Sequence, residues 1–254
     1  MAIQVLCTDL DGTLLNNQKE IAPADVAAIS RWQATGRLFG ITSGRQETGE
    51  ARALRTLVRP DFVVCLNGAL VIKADRQRKR RPLSAAAAAR VITVMMQANV
   101  QEIVVTFQGL SHPLDMHSGR FAGIDPAALP GDGRGIDKLS AIIKDPQTRA
   151  KLMLALHQLP VTTTHSDTDY LEVTGPGVTK ASGLTVALGA ACPLAQVAAV
   201  GDYGNDEEMI KQVGIGYAVA NATARLKAVA DRLTVANTDA PISHIVNDLL
   251  DTKN

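Results

Sequence analysis

Short apolar runs alternate with segments of helical period at both ends of this 254-residue chain, and that rhythm restricts the fold more than any other feature. Residues 3–8 are apolar and lead into acids and Gly12, as a buried strand feeding a loop would. Pro23 to Thr35 has apolar residues at helical spacing, and Gly36 marks its end. Arg37 to Thr42 reads as a second strand and Gln46 to Val58 as a second helix. Asp61 to Leu66 reads as a third strand, ending at Asn67-Gly68. From Thr179 the alternation resumes. It predicts a helix to about Leu188, a strand at Val197 to Val200 and a helix at Asp206 to Val213. A strand at Tyr217 to Ala220, a helix at Thr223 to Ala230, a short strand at Leu233 to Val235 and a last helix from Pro241 complete it.

The middle of the chain departs from this pattern. A basic, hairpin-like stretch from Lys73 to Arg81 precedes an alanine-rich helix at Ser84 to Ala98. Extended runs follow at Gln101 to Phe107 and Leu110 to His117, then a Gly/Pro-rich stretch from Gly119 to Gly135 with the signature of a long loop. Another extended run (Leu139 to Lys144), a helix (Gln147 to Leu159) and two further runs (Val161 to His165 and Tyr170 to Thr174) close the section. Strands next to one another without intervening helices predict an antiparallel sheet. The expected fold is therefore α/β, a doubly wound parallel sheet built from residues 1–81 and 180–254, interrupted by an α+β domain at 82–179.

Composition is consistent with that architecture. Apolar residues make up 46% of the chain but aromatics only 3%, so branched aliphatics and alanine must fill the core, as in helix-covered parallel sheets. Lys plus Arg (26) balance Asp plus Glu (25), which argues against a nucleic-acid or membrane partner. No apolar run reaches the roughly 18 to 20 residues of a membrane span. The chain does not open on a basic segment followed by a long apolar one, so a signal peptide is not expected. Cys7, Cys65 and Cys192 lie far apart in apolar runs and read as reduced, buried residues of a cytoplasmic protein.

Four clusters carry chemistry, each at the end of an expected strand or the start of a helix, the edge where open parallel sheets bind ligands. Asp9-Leu10-Asp11-Gly12-Thr13 sets two carboxylates one residue apart at a strand exit. Such a pair needs a cation or a proton between its members, and magnesium suits hard oxygen ligands beside a phosphate. A carboxylate can also attack phosphorus directly; a plain acidic turn is the alternative. Thr42-Ser43-Gly44-Arg45 offers a hydroxyl and free amides at a helix start, as a phosphate cradle or simply a cap. Lys180 could neutralise a phosphoryl group or be an ordinary surface lysine. Gly201-Asp202-Tyr203-Gly204-Asn205-Asp206 suits a cation site, or a strand-to-helix turn capped by Asp206.

In order and spacing the four resemble the motifs of the haloacid dehalogenase-like (HAD) superfamily: DxDGT, a Ser/Thr, a Lys and GDxxxD. The chain closely resembles Cof-type phosphatases with a type IIB cap inserted between the second and third motifs. Asn67-Gly68-Ala69 and the segment EVTGPGVTK from Glu172 to Lys180 match that pattern too. The resemblance implies a Rossmann-like core, an α+β cap and Mg2+. It implies Asp9 as nucleophile and metal ligand, and Asp11 as general acid–base and as metal ligand through its main-chain carbonyl. Asp202 completes the metal set with Asp206 in support, and Leu10, Ser43, Gly44, Lys180 and Asn205 hold the phosphoryl oxygens. To act as an acid, Asp11 is expected to have a raised pKa beside Asp9. The implied substrate is a small phosphorylated metabolite such as a sugar phosphate.

Other features are read as structural. The basic stretch Lys73 to Arg81 has no interleaved aromatic, which base stacking would want. The five histidines show no ligand pattern, and His112 and His117 are expected on the cap surface. The competing functions are a phosphomutase of the same superfamily, a phosphate-sensing receiver domain and a binding protein without turnover.

Overall fold

The computed structural model describes residues 2–47, 56–98, 100–115, 120–121 and 135–251. Two compact units emerge, one from Met1–Lys79 with Lys180–Asn254 and one from Arg80–Thr179. The expected helix at Gln46 to Val58 and the loop at Gly119 to Gly135 fall largely outside the described residues, as does His117.

In chain order, the first unit opens with strands β1 (Val5–Thr8), β2 (Leu38–Thr42), β3 (Phe62–Cys65), β4 (Leu70–Ile72) and β5 (Arg78–Arg80). The second unit contributes β6 (Glu102–Phe107), β7 (Leu110–Asp115), β8 (Arg120–Phe121), β9 (Ile136–Ile142), β10 (Thr162–His165) and β11 (Tyr170–Thr174). The chain then returns to the first sheet with β12 (Val197–Gly201), β13 (Ile215–Ala218) and β14 (Arg232–Leu233).

The first sheet has the order β14-β13-β12-β1-β2-β3-β4-β5. Pairing is parallel from β14 to β3 and turns antiparallel at β3–β4. All four residues of β1 and all five of β12 are buried, so both faces are covered, as an α/β sheet requires. The first helix (Pro23–Ala34) has Pro23 in its first turn, and the chain leaves it through Gly36 at φ 79°. The doubly wound fold is thus the one the rhythm of apolar runs predicts. At one edge β5 is Arg-Lys-Arg and exposed, a charged border that discourages further strand pairing.

The second unit is a six-stranded sheet, order β10-β11-β9-β6-β7-β8, with antiparallel pairing throughout. Its core gathers Val91 and Met95 from the helix Ala85–Gln97 and Leu152 from the helix Pro146–Leu156. These pack with Ile103, Val105, Leu139, Leu171 and Val173 of the sheet. Ser84 caps the first of these helices through the Ala87 amide, and Asp145 caps the second through the Thr148 amide.

Two expectations are corrected. The strand expected to begin at Leu139 begins at Ile136, because Asp137 and Lys138 are buried within it. Asp137 is held by Arg80 and Lys138 by Glu172, so polar residues that read as a strand boundary are absorbed by ion pairs. Cys192 is only partly buried, whereas Cys7 and Cys65 are buried as expected. Its neighbours form two short 3-10 turns.

Candidate active site

Strands β12, β1 and β2 are neighbours, so the loops leaving their carboxyl ends are neighbours as well. Asp9 directly follows β1, Ser43 follows β2 and Asp202 follows β12. Sheet order alone therefore gathers three motifs that are far apart in sequence. Carboxylate oxygens of Asp9, Asp202 and Asp206 lie within 4.8 Å of one another. Gly12 makes room for this. Its φ is +75°, and a Cβ there would stand 2.4 Å from Asp202 Oδ2. Gly201 does the same for Asp206, whose Cγ would lie 2.4 Å from an added Cβ.

Lys180 opens the helix Lys180–Leu188 and its side chain is fully buried. Its Nζ donates to Asp9 Oδ1 and to Asp206 Oδ1, each at 2.6 Å. Asp206 is committed elsewhere too, since its Oδ2 accepts the backbone N–H groups of Asp202 and Tyr203 at 3.1 and 3.2 Å. Both Asp206 oxygens are thus occupied, and its place is to orient Lys180 and the β12 loop. Asp202 Oδ1 accepts from Thr13 Oγ1 at 3.3 Å. Among the described residues only Oδ1 of Asp9 is hydrogen-bonded, which leaves Oδ2 open.

Three carboxylates beside one ammonium carry a net charge of −2 when all are ionised (−3 + 1). That excess is visible in the titration behaviour. Burial, opposed by Lys180 and reinforced by the carboxylates of Asp206 and Asp202, pushes Asp9 well above the usual carboxylate range. Burial, with Asp206 next, pushes Asp202 up to about 7. Lys180 also resists charge through burial, but Asp206 and Asp9 outweigh this and hold its ammonium firmly protonated. A buried oxygen-only donor set short of two positive charges fits one hard divalent cation.

On the β2 side, Ser43 is buried and its Oγ accepts the Arg45 amide at 3.1 Å. Its own N–H donates to Val64 O and its carbonyl accepts from Asn67 N. Asn205 Nδ2 donates to Asn67 Oδ1 at 3.2 Å, which draws the N-G-A turn toward the β12 loop. Asn67 adopts φ 52°, and Gly68 follows at φ 99°. Thr42 points inward, its hydroxyl 3.5 Å from both Thr8 O and Met209 Sδ. Leu10 N–H, at the exit of β1, has no hydrogen-bond partner among the described residues.

The environment of Asp11 differs from the expectation. Rather than sharing the buried cluster, its carboxylate is 36% exposed and bridges two cations. Arg45 Nε and Nη2 donate to Oδ2 and Oδ1 at 2.5 and 2.6 Å, and Lys19 Nζ donates to Oδ1 at 2.7 Å. Partial burial opposes ionisation, but Arg45 and Lys19 outweigh it and hold this carboxyl below the usual range, not above it. Sequence reading missed both cations as partners. The one available signal was that Arg45 closes the T-S-G-R motif. Thr13, Asn221 and Asn237 were missed as well, and all three hold or touch the loop after Asp9.

A family model of haloacid dehalogenase-like hydrolases matches residues 6–246. The chain belongs to that family. Among the relatives of this HAD-like hydrolase is the 5-amino-6-(5-phospho-D-ribitylamino)uracil phosphatase YbjI of Escherichia coli. It is 24% identical, over 98% of this chain and 97% of the relative. Pyridoxal phosphate phosphatase YbhA of the same organism is 23% identical, over 97% of this chain and 98% of the relative. A solved structure of BT1666, a phosphatase of the haloalkanoate (HAD) enzyme superfamily from Bacteroides thetaiotaomicron, superposes with a TM-score of 0.83. It covers 98% of this chain and 95% of that one at 21% identity, a likeness of fold. No helix among the described residues is long and apolar enough to cross a membrane.

Proposed function

We propose that this hydrolase is a Mg2+-dependent phosphatase of small phosphomonoesters, acting through an aspartyl-phosphate on Asp9. The observation that carries the reading is a buried Asp9 that belongs to a carboxylate cluster two positive charges short, with one oxygen hydrogen-bonded to Lys180 and the other without a partner among the described residues. Asp9 and Asp202, with the main-chain carbonyl of Asp11, would hold the ion, and Asp206 would support them. Bound there, Mg2+ supplies positive charge against the phosphoryl oxygens.

The residues of the chain divide the remaining work. Oδ2 of Asp9 attacks phosphorus as the bond from phosphorus to the ester oxygen breaks. The leaving alkoxide takes its proton from Asp11. Water then attacks phosphorus and gives a proton back to Asp11, the bond from phosphorus to the Asp9 oxygen breaks, and orthophosphate leaves. Lys180, Ser43, the amides of Leu10 and Gly44, and Asn205 hold the phosphoryl oxygens, so most of the barrier reduction comes from positioning and charge. Asp11 can serve only after its contacts with Arg45 and Lys19 loosen, because all its present hydrogen bonds favour the ionised form.

Substrate choice is assigned to the inserted domain, 82–179. The relatives named above act on a ribitylaminouracil phosphate and on pyridoxal phosphate, so kinship supports a small phosphorylated metabolite without narrowing it further. The test is Asp9→Asn with an aryl phosphate and Mg2+. Loss of phosphate release is expected, and near-normal turnover would remove Asp9 from the nucleophile role. Phosphate retained on the product of a sugar phosphate would point to a phosphomutase instead.

A further inference from the structure

Two asparagines from the opposite end of the chain grip the loop that follows Asp9. Asn221, just beyond β13, donates from Nδ2 to the Gly12 carbonyl at 2.8 Å. Asn237, just beyond β14, donates from Nδ2 to the Leu15 carbonyl at 2.9 Å and to Asn17 Oδ1 at 3.4 Å. The two are joined, because Asn237 N–H donates to Asn221 Oδ1 at 2.9 Å. Strand β12 lies between β1 and β13 in the sheet, so these contacts reach across the carboxyl edge past the loop that carries Asp202.

The turn from Asp9 to Leu14 has little to fix it from within. Its internal closures include Thr13 N–H to Leu10 O at 3.4 Å and Leu14 N–H to Asp9 O at 3.3 Å, long for backbone hydrogen bonds. Leu15 N–H to Leu10 O, at 2.8 Å, matches the outside bonds, and beyond it Asn16 N–H to Glu20 O closes the next turn at 2.9 Å. The outside bonds hold the carbonyls of Gly12 and Leu15, on either side of Thr13 and Leu14, and the Thr13 hydroxyl touches Asp202. Gly12 also packs its Cα against the Asp202 carboxylate. A shift of the Gly12 carbonyl therefore displaces Asp11, Thr13 and the Asp202 contact together. Among the described residues neither carboxamide hydrogen-bonds to the carboxylate cluster, so their action runs through the loop.

We propose that Asn221 and Asn237 form a carboxamide bracket that positions the nucleophile loop and thereby sets the cation affinity and turnover of the site. The bracket rests on the functional reading above, with Asn221 and Asn237 as positioning residues. Asn221 is exposed, so replacing it perturbs the loop without opening the core. Loss of such an outer hydrogen bond commonly costs about 10-fold or more in metal affinity or activity.

The experiment compares wild type, Asn221→Ala and Asn221→Asp. Asn221→Ala should melt at the wild-type temperature, bind Mg2+ about 10-fold more weakly by calorimetry and lose a similar factor in kcat, with KM for an aryl phosphate little changed. Asn221→Asp keeps the size and the acceptor for Asn237 N–H but turns an oxygen toward the Gly12 carbonyl. At saturating Mg2+ it should therefore turn over more slowly than the alanine variant. An active wild type with Asn221→Ala unchanged in both Mg2+ affinity and kcat overturns the bracket, as does an Asp variant as fast as the Ala variant. A wild type that binds Mg2+ but hydrolyses no phosphomonoester sinks the functional reading, while the calorimetric comparison still decides the bracket. A wild type that does not bind Mg2+ overturns both.

Discussion

Replacing Lys180 by Met keeps most of the side-chain volume and deletes the ammonium that Asp9 and Asp206 share. The side chain is fully buried and lies 2.6 Å from each carboxylate, closed off from bulk solvent. The cluster charge goes from −2 to −3 if every carboxylate stays ionised. Breaking a buried ion pair from one side costs about 3–5 kcal/mol, part of it recovered by protonation of an acid. At about 2–4 °C per kcal/mol for a chain of this size, the metal-free variant should melt about 6–20 °C below wild type. Mg2+ should recover part of that loss by binding the folded state. It should not restore kcat, which is expected to fall about 10²–10³-fold with a charged donor to the phosphoryl oxygens gone. Thermal unfolding with and without Mg2+, beside steady-state hydrolysis of an aryl phosphate, reads both effects. Melting of the metal-free variant within 2 °C of wild type would refute the claim that this lysine balances a buried negative cluster.

Two pH dependences follow from the same chemistry. Asp202, pushed up to about 7 by burial and by Asp206, must lose a proton to bind a cation. Mg2+ affinity should therefore fall as the pH drops below 7, the more steeply because Asp9 is raised as well and must also lose its proton, with proton release detectable by calorimetry in buffers of different ionisation enthalpy. Asp25 is a separate case. Burial raises it from 3.8 to about 6, against the Ser243 and Ile242 amides that favour its charge. A raised acid binds its proton more tightly when folded, so its cost is absent below about pH 4, grows toward pH 6 and then stays at about 3 kcal/mol. Asp25→Asn should flatten that segment of the curve of stability against pH, and an unchanged slope in urea titrations would assign it elsewhere.

Local pattern made most of the core legible. The strand at Tyr170–Thr174 and the helix beginning at Pro241 coincide with the elements expected from periodicity and punctuation. The clustering of Asp9, Ser43 and Asp202 was readable because each ends a strand, and parallel sheets align those ends. Contacts set by long polar side chains across the fold were not readable. Nothing near Asp11 in sequence announces that Arg45 reaches it from 34 residues away, and that contact, with Lys19, reverses the sign of its pKa shift. Asn221 and Gly12 are 209 positions apart, with no periodic signal linking them. In β9, Asp137 and Lys138 hid the start of a buried strand, since ion pairing overrode their polarity.

Acid quenching during turnover of a ³²P-labelled phosphomonoester, followed by peptide mapping, addresses the nucleophile directly. An acid-stable, base-labile label on the peptide containing Asp9, absent from Asp9→Asn, is the predicted result. Sustained phosphate release with no label on that peptide, or with label on another residue, would contradict the assignment.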